Sequence, residues 1–291
     1  MKLAFSSLGM PGDGIDELIR IAEAGGAEGL ELRLGEDEAV SVTMSGQAAA
    51  AVRRRLEGAG LSLISISSYI RVCSPEPDAE VIRQLNEALE LAAVLGAGGV
   101  RVFPGAQVPA GSGRASAGES VSWDRTAATR LSAVSDHASR LGVQLLLETH
   151  DSHPTGSDIA RILALSEPAG TVRAIWDVLH PWRYGEQPEE TASALNGSLA
   201  YCQFKDAVLG ASPGDVTLTI PGHGGIPLAA IAGIAEQAIR SQGDGTFWAS
   251  LEWEKAWHPE LEDLPVALAA LRAVLMPGDA PWDQPAAGSA G

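Results

Sequence analysis

The sequence is poor in basic residues, in aromatic residues and in cysteine. Lysine and arginine number 20 among 291 residues, against 37 aspartates and glutamates, and the formal net charge is -17. A nucleic-acid-binding domain normally carries a clustered basic patch, and here the basic residues are scattered, so the composition argues against DNA or RNA as a partner. Acidity of this kind is typical of a solubility feature in a cytoplasmic protein.

The two cysteines, Cys73 and Cys202, each lie beside a strand-like run. Two cysteines provide no disulfide framework and fit a reducing compartment. The N-terminal residues enter an apolar run directly, without the basic segment and long apolar stretch of a signal peptide. No run reaches the length of a membrane span. The sequence therefore predicts a cytoplasmic protein that has no membrane partner.

Short apolar runs that are typical of buried strands alternate with helical patterns along the whole chain. The predicted strands cover residues 3–8, 29–34, 62–69, 99–103, 144–148, 173–177, 200–204 and 248–253. The predicted helices cover residues 15–24, 46–58, 79–95, 125–141, 158–165, 228–241 and 264–275. Glycine often stands where a helix gives way to the next strand, which is the usual C-cap position.

About eight strand–helix units predict an α/β protein with a (β/α)₈ TIM barrel as a single domain over residues 1–276. A doubly wound open sheet is the second choice, since no Gly-x-Gly-x-x-Gly follows the first strand. Residues 109–122, rich in Gly, Ser and Ala, are predicted to form a mobile loop after the fourth strand. Residues 277–291, rich in Pro, Ala and Gly, are predicted to form a flexible tail.

Four successive strands in the second half each end on a candidate oxygen ligand. These residues are Glu148, Asp177, Gln203 and Glu252. In a barrel, the strand ends and the loops after them build the active site, which would bring the four together. Buried carboxylates need a compensating cation, and oxygen ligands suit Mn²⁺ or Mg²⁺ better than Zn²⁺. The alternative is that these side chains form salt bridges at the barrel rim.

Other polar residues follow the same strand ends. Residues two apart on a strand share a face, so His150 shares one with Glu148, Lys205 with Gln203, and Glu254 with Glu252. Five of the six histidines lie in the second half of the chain: His150, His153, His180, His223 and His258. His180 follows Asp177 by three residues, so it is a candidate to bind the metal or a substrate oxygen.

The motifs Leu-Glu148-Thr-His, Asp177-Val-Leu-His180, Gln203-Phe-Lys-Asp206, Pro221-Gly-His-Gly-Gly225 and Ser250-Leu-Glu-Trp-Glu254 resemble those of the xylose isomerase-like TIM barrels. This superfamily includes sugar-phosphate isomerase/epimerases, ketose 3-epimerases, inosose dehydratases and the endonuclease IV branch. The resemblance runs from about Lys2 to Leu275. It implies one divalent cation held by Glu148, Asp177, position 203 and Glu252, with Mn²⁺ expected and Mg²⁺, Co²⁺ or Zn²⁺ as alternatives. The epimerases generally have His where this chain has Gln203.

The resemblance also implies a mechanism for a sugar or related polyhydroxy carbonyl compound. Glu148 and Glu252 would transfer a proton next to a carbonyl through a metal-stabilised enediolate, and His180 would assist as a catalytic and substrate-binding residue. Substrate contacts are further expected from His150, Lys205, His223, Trp253, Trp257 and His258. Lys205 has an alternative assignment as the ion-pair partner of Asp206, and the tryptophans have one as packing residues. Family members often form homodimers, so a homodimer is expected as well.

Four functions remain open at this point. An isomerase or epimerase is favoured, and a lyase on the same scaffold is second: a dehydratase, or an enzyme that eliminates from a 3-keto sugar, including C-glycoside cleavage. Both begin with proton abstraction beside a carbonyl, and His150 is an extra base or acid that elimination would use. A phosphodiesterase acting on abasic DNA would need further metal ligands and a basic surface. A barrel without activity would have no reason to keep both Glu148 and Glu252.

Overall fold

Eight parallel strands close into a barrel in the computed structural model, which describes residues 1–107, 117–243 and 245–278. The strands are β1 (Lys2–Ser6), β2 (Gly29–Arg33), β3 (Ser62–Arg71), β4 (Gly99–Phe103), β5 (Gln144–Glu148), β6 (Val172–Asp177), β7 (Leu199–Phe204), β8 (Asp206–Leu209), β9 (Val216–Thr219) and β10 (Trp248–Leu251). Around the barrel the order is β1-β10-β7-β6-β5-β4-β3-β2, and β8 and β9 form a separate antiparallel hairpin. The predicted (β/α)₈ barrel is confirmed.

Helices connect the strands, as the alternating sequence pattern predicts. They are α1 (Ile15–Gly25), α2 (Gly46–Gly58), α3 (Asp78–Leu95), α4 (Ala117–Leu141), α5 (Gly156–Leu165), α6 (Leu179–Arg183), α7 (Pro188–Ala194), α8 (Leu228–Arg240) and α9 (Leu264–Leu275), with a 3-10 turn at Ser7–Gly9. Gly26 and Gly96 cap α1 and α3 with φ of 67° and 73°. That left-handed conformation favours glycine and ends each helix before the next strand.

The side chains of each strand alternate between two environments. Leu146 belongs to a small cluster with Ile175 and Tyr201, whereas its neighbours Leu145 and Leu147 join the large core that includes the helices. A period of two is what a strand between a barrel interior and a helix layer requires. Glu148, two residues after Leu146, is therefore placed on the interior face.

Several elements depart from the predicted ones. Helix α4 begins at Ala117, so residues 117–122 of the predicted loop are helical, while 109–116 lie outside the described residues. Helices α6 and α7 and the β8–β9 hairpin were not predicted, because elements of four to seven residues are too short to show a clear period. Most of the predicted tail, residues 279–291, also lies outside the described part. Among the helices of the described residues, none has the length and apolarity to cross a membrane.

Candidate functional site

The four candidate ligands come from four strands that are neighbours in the barrel. Glu148 ends β5, Asp177 ends β6, Gln203 lies in β7, and Glu252 follows β10 directly. Asp177 pairs with Gln203 across β6 and β7, which places the two side chains at one level. All four residues are buried. Carboxylate oxygens of Glu148, Asp177 and Glu252 lie within 4.8 Å of one another.

The cluster contains buried oxygens that the protein leaves unsatisfied. Among the described residues, Oε1 of Glu148 and Oε1 of Gln203 have no hydrogen-bond partner. Buried polar atoms are nearly always paired, so an orphaned oxygen indicates a missing partner. Three carboxylates and one amide carbonyl form the hard oxygen set that Mn²⁺ and Mg²⁺ prefer. The residues present therefore fit a divalent cation.

Arg101 of β4 joins the two glutamates. Its Nη1 donates to Oε2 of Glu148 at 3.1 Å and to Oε1 of Glu252 at 3.4 Å. Its Nη2 donates to the carbonyl of Ser68 at 3.0 Å, and the guanidinium lies 4.1 Å from the ring centroid of Phe103. Burial opposes the charged form, but the carboxylates of Glu148 and Glu252 outweigh it and raise the pKa of Arg101. A fixed positive charge therefore lies between the two carboxylates.

Lys205 supplies a second buried cation. Its ammonium lies 2.5 Å from Oε2 of Glu252, 2.6 Å from Oε1 of Glu254 and 2.8 Å from Oδ2 of Asp177. Burial opposes its charge, yet Asp177 and Glu252 raise the pKa of Lys205 well above its ordinary value. The predicted partner, Asp206, points elsewhere, because neighbouring residues in an extended chain face opposite sides.

Negative charge exceeds positive charge in this cluster. Four carboxyl groups among the described residues contact the two cations, those of Glu148, Asp177, Glu252 and Glu254, and the carboxyl group of Glu31 lies beside them at Gln203. Burial, together with the nearby carboxylates of Glu252 and Asp177, raises the pKa of Glu148 well above its ordinary value. Burial and Glu252 likewise raise the pKa of Glu31. A bound dication would offset the excess that Arg101 and Lys205 leave.

Two histidines stand beside the carboxylates. Nε2 of His180 lies 3.4 Å from Oδ2 of Asp177, and its buried Nδ1 has no hydrogen-bond partner among the described residues. Burial lowers the pKa of His180 well below its ordinary value, so the imidazole is neutral. The ring of His150 lies 4.4 Å from that of His180 and 4.2 Å from that of Phe103. Ring nitrogens of both histidines come within 4.8 Å of a carboxylate oxygen of Glu148.

The two tryptophans that were predicted to contact the substrate lie in different environments. Trp253 is fully buried, and its indole nitrogen donates to the carbonyl of Glu262 at 2.7 Å, so it packs in the core and is inaccessible to substrate. Trp257 is 54% exposed and Tyr69 is 43% exposed, with ring centroids 6.4 Å apart. The guanidinium of Arg33 lies 4.7 Å from the Trp257 centroid and 5.5 Å from that of Tyr69.

Three other histidines from the second half of the chain lie outside the group of buried candidate ligands; two of them, His223 and His258, are predicted substrate contacts. His153 is buried between Asp124, at 3.0 Å, and Ser152, at 2.8 Å. His258 is exposed, 3.3 Å from a carboxylate oxygen of Glu260. His223 is exposed in the glycine-rich turn after β9.

Asp206 anchors this turn. Its carboxylate accepts the backbone N–H groups of Gly222, Gly224 and Ile226, at 2.8, 2.9 and 3.2 Å. A Cβ on Gly224 would lie 2.2 Å from Oδ1 of Asp206. Glycine is therefore required where the turn approaches the carboxylate, which gives the Gly-rich motif a structural role.

Arg101 and Glu31 were not predicted as site residues. Each is a charged residue in the middle of a short buried strand, in Gly-Val-Arg101-Val-Phe and Gly-Leu-Glu31-Leu-Arg. A charge in the middle of a buried strand requires a partner, and that is the signal that could have identified both.

The chain is similar to a known protein family in sequence and to solved structures in fold. A sequence model of the xylose isomerase-like TIM barrel family matches residues 19–274. No curated protein matches the chain significantly in sequence. Among solved structures, the IolI protein with a bound zinc atom is 16% identical, with a TM-score of 0.74 over 94% of this chain and 98% of that chain.

Two further solved structures are similar over most of their length. D-psicose 3-epimerase in the presence of D-fructose is 15% identical, with a TM-score of 0.71 over 94% of this chain and 99% of that chain. The probable 3-DHS dehydratase AsbF from Bacillus anthracis is 17% identical, with a TM-score of 0.69 over 94% and 98%. At these identities the likeness shows a shared fold. The family match spans most of the barrel, and the chain belongs to the xylose isomerase-like TIM barrel family.

Proposed function

We propose that this protein is a divalent-metal-dependent isomerase or epimerase of a sugar or related polyhydroxy carbonyl compound. The observation that carries the proposal is the pair Glu148 and Glu252, two buried carboxylates that share the guanidinium of Arg101. They come from strands separated by β6 and β7 in the barrel order. Two carboxylates that approach one substrate from different strands are what proton transfer between its two faces requires.

The cation would be held by Glu148, Asp177, Glu252 and the amide oxygen of Gln203. When bound, it supplies Lewis-acid polarisation of a substrate carbonyl and a positive charge near the oxygen on which negative charge develops. The neutral oxygen of Gln203 keeps the donor set hard, which favours Mn²⁺ or Mg²⁺.

The protein's own groups have separable roles in this reaction. One of the two glutamates takes the proton from the carbon next to the carbonyl, and the other delivers a proton to the opposite face or to the neighbouring carbon. Burial and the nearby carboxylates raise the pKa of Glu148, which makes its carboxylate a stronger base than an exposed glutamate. Arg101 holds both carboxylates in place, and Lys205 fixes Glu252 against Asp177.

His180 is suited to bind a substrate hydroxyl. Its low pKa keeps the ring uncharged, and its unpartnered Nδ1 is free to donate or accept a hydrogen bond. A neutral ring beside the carboxylates adds hydrogen bonding without adding charge to the cluster.

Elimination is the second candidate, and the observation that favours it is His150. Its ring nitrogen belongs to the same group as those of Glu148 and His180, and its Nδ1 lies 2.9 Å from Oδ1 of Asp151. An imidazole held by a carboxylate is a suitable acid for a departing hydroxyl group or aglycone. The lyase and the isomerase would begin with the same proton abstraction. In the lyase, a hydroxyl group or aglycone would then depart from the neighbouring carbon.

Solvent exchange tests the proposal. Metal-free protein reconstituted with Mn²⁺ is incubated in deuterium oxide with a panel of ketoses and 3-keto sugars. We expect deuterium at a carbon next to the carbonyl, lost in both Glu148→Gln and Glu252→Gln, while Glu236→Gln, on the surface of α8, retains it. Analysis of products then separates rearranged sugar from an eliminated fragment. Exchange that continues unchanged in both site variants would refute the assignment of the two glutamates.

A further inference from the structure

Glu31 of β2 is buried in the barrel interior without direct contact to a cation among the described residues. Its Oε2 accepts hydrogen bonds from the Tyr201 hydroxyl at 2.6 Å, from Nε2 of Gln203 at 2.9 Å and from the Ser65 hydroxyl at 3.3 Å. Its Oε1 accepts a short hydrogen bond from the Ser250 hydroxyl. Four donors from three strands thus converge on one carboxylate.

The amide of Gln203 has its orientation set by this carboxylate. Its NH₂ group donates to Oε2 of Glu31 at 2.9 Å and to Oε1 of Glu252 at 3.3 Å, whereas an amide oxygen in that place would have no hydrogen to offer these two oxygens. The nitrogen must therefore face the two acids, and the carbonyl oxygen must face away from both. This carbonyl oxygen, Oε1 of Gln203, is buried and has no hydrogen-bond partner among the described residues.

We propose that Glu31 is a positioning residue that makes Gln203 an oxygen ligand of the cation. This inference rests on the proposed function, because it assumes a metal held at this cluster. A carboxylate that accepts the outer N–H of a metal-binding imidazole fixes the ring and strengthens it as a ligand. Glu31 does the same for an amide: it fixes which atom faces the metal, and it draws the N–H dipole so that the carbonyl oxygen becomes more negative.

This arrangement also determines which cations the site prefers. If the amide rotated by half a turn, its NH₂ group would take the place of the unpartnered oxygen, and an amide nitrogen is not a metal ligand. With Glu31 in place the donor is always oxygen, which favours Mn²⁺ and Mg²⁺ over softer ions. Imidazole at position 203 could still donate to Glu31, so Gln203→His should bind metal but shift its preference towards Zn²⁺.

Calorimetric titration of metal-free variants with MnCl₂ tests the positioning role. Glu31→Met removes every acceptor and should weaken Mn²⁺ binding by about ten- to a hundredfold. Glu31→Gln should restore most of the affinity, because its amide oxygen can accept from Gln203 while its NH₂ donates to Ser250. Tyr201→Phe is the matched control, since it removes another donor from the same carboxylate oxygen. It should lower thermal stability with much less effect on Mn²⁺ affinity.

A second comparison does not depend on the folding of Glu31→Met. Gln203→Glu replaces the amide that now lies 2.9 Å from the Glu31 carboxylate with a second carboxylate, so the two groups should repel each other. The double variant Glu31→Gln, Gln203→Glu has the same metal ligands as Gln203→Glu. It restores an amide paired with a carboxylate between positions 31 and 203, now with the two groups exchanged. It should therefore bind Mn²⁺ more tightly than Gln203→Glu alone. Equal affinity in these two variants, or equal weakening by Tyr201→Phe and Glu31→Met, would overturn this inference alone. A wild-type protein that binds no divalent cation would overturn the proposed function with it.

Discussion

The ammonium group of Lys205 lies 2.5 Å from Oε2 of Glu252, and both residues are buried. The same ammonium also contacts Asp177, so a single cation from the protein holds two of the proposed metal ligands. The protein therefore neutralises part of the cluster itself, and the remaining negative charge is what the proposed cation would offset.

Lys205→Met tests this division of charge. Breaking a buried ion pair by removing one partner costs about 3–5 kcal/mol, so the metal-free variant should melt at a clearly lower temperature. Mn²⁺ should then raise its melting temperature by more than it raises that of wild type, because more negative charge awaits compensation. Lys2→Met is the control, since Lys2 is exposed and pairs with Glu28. A thermal shift with Mn²⁺ smaller than that of wild type would contradict this account.

Arg101→Met removes the link between the two proposed bases. Loss of a preorganised positive charge beside the reacting groups should reduce solvent exchange by about a hundredfold or more. Arg130→Met is the matched control, because Arg130 is also buried and donates to several carbonyls. Both variants should lose stability in urea, but only Arg101→Met should lose exchange activity. Equal activity losses, compared at temperatures where both are folded, would reduce Arg101 to a structural residue.

The raised pKa values of Glu148 and Glu31 predict how the metal-free protein responds to pH. A carboxyl with a folded-state pKa above its ordinary value holds its proton longer in the folded state than in the unfolded chain. Its contribution to stability is therefore fully present below the unfolded pKa and is lost as pH rises through the folded pKa. The free energy of unfolding of metal-free protein should therefore fall as the pH rises above the ordinary pKa of a glutamate.

Urea denaturation across this range measures that slope. Glu148→Gln should flatten it and should be more stable than wild type at the alkaline end, because this variant has one buried carboxyl fewer to ionise at high pH. Saturating Mn²⁺ should reverse the slope in wild type, since the cation binds the deprotonated ligands. A metal-free slope that is equal in wild type and Glu148→Gln would show that this carboxyl does not carry the effect.

Trp257→Ala should weaken substrate binding while leaving the chemical step intact. The exposed ring stacks with Arg33 beside Tyr69, and aromatic contacts of this kind are worth about 0.5–1.5 kcal/mol. KM should rise by roughly three- to tenfold, with kcat nearly unchanged. Trp253→Ala offers the contrast: removal of a fully buried ring should cost about 3–5 kcal/mol of stability. A fall in kcat without a rise in KM for Trp257→Ala would place this ring outside the binding surface.

The turn around His223 can be tested with two neighbouring glycines. Gly224→Ala would push a methyl group to 2.2 Å from Oδ1 of Asp206 and 2.6 Å from the backbone nitrogen of Ala207. Gly225→Ala would approach only the Ala207 carbonyl, at 3.8 Å. Thermal unfolding should show a loss of about 1–3 kcal/mol for Gly224→Ala and little change for Gly225→Ala. Equal effects would mean that the Asp206 carboxylate does not fix this turn.

The barrel and the four candidate ligands could be anticipated because both depend on local sequence. Apolar runs that end on Glu148 and Asp177 predict both a strand and a candidate ligand at its end. In a closed barrel the carboxyl ends of the strands lie close together. The short helices α6 and α7 lack enough turns for a periodic pattern. The sequence suggests an ion pair between Lys205 and Asp206, because the two opposite charges are adjacent. Adjacent side chains in an extended segment point to opposite faces, so the two do not meet.

Glu31 and Arg101 show what the sequence left hidden. Each stands out as a charge within an apolar strand, yet the partners of Arg101 lie 47 and 151 positions further along the chain. Gln203 lies 172 positions from Glu31. Side-chain direction and barrel closure select these partners, and neither is encoded in the spacing of any motif.

The two halves of the chain contribute different kinds of residue to the site. Strands β5, β6, β7 and β10 carry all four candidate ligands, whereas β2 and β4 carry Glu31 and Arg101, which hold those ligands in place. A chimera that joined residues 144–278 to the first half of another barrel would inherit the ligand set but would lose its buried acceptor and its counter-charge. Exchange of half-barrels within this fold is therefore constrained less by the ligands than by the two supporting residues in the first half of the chain, which must travel with them.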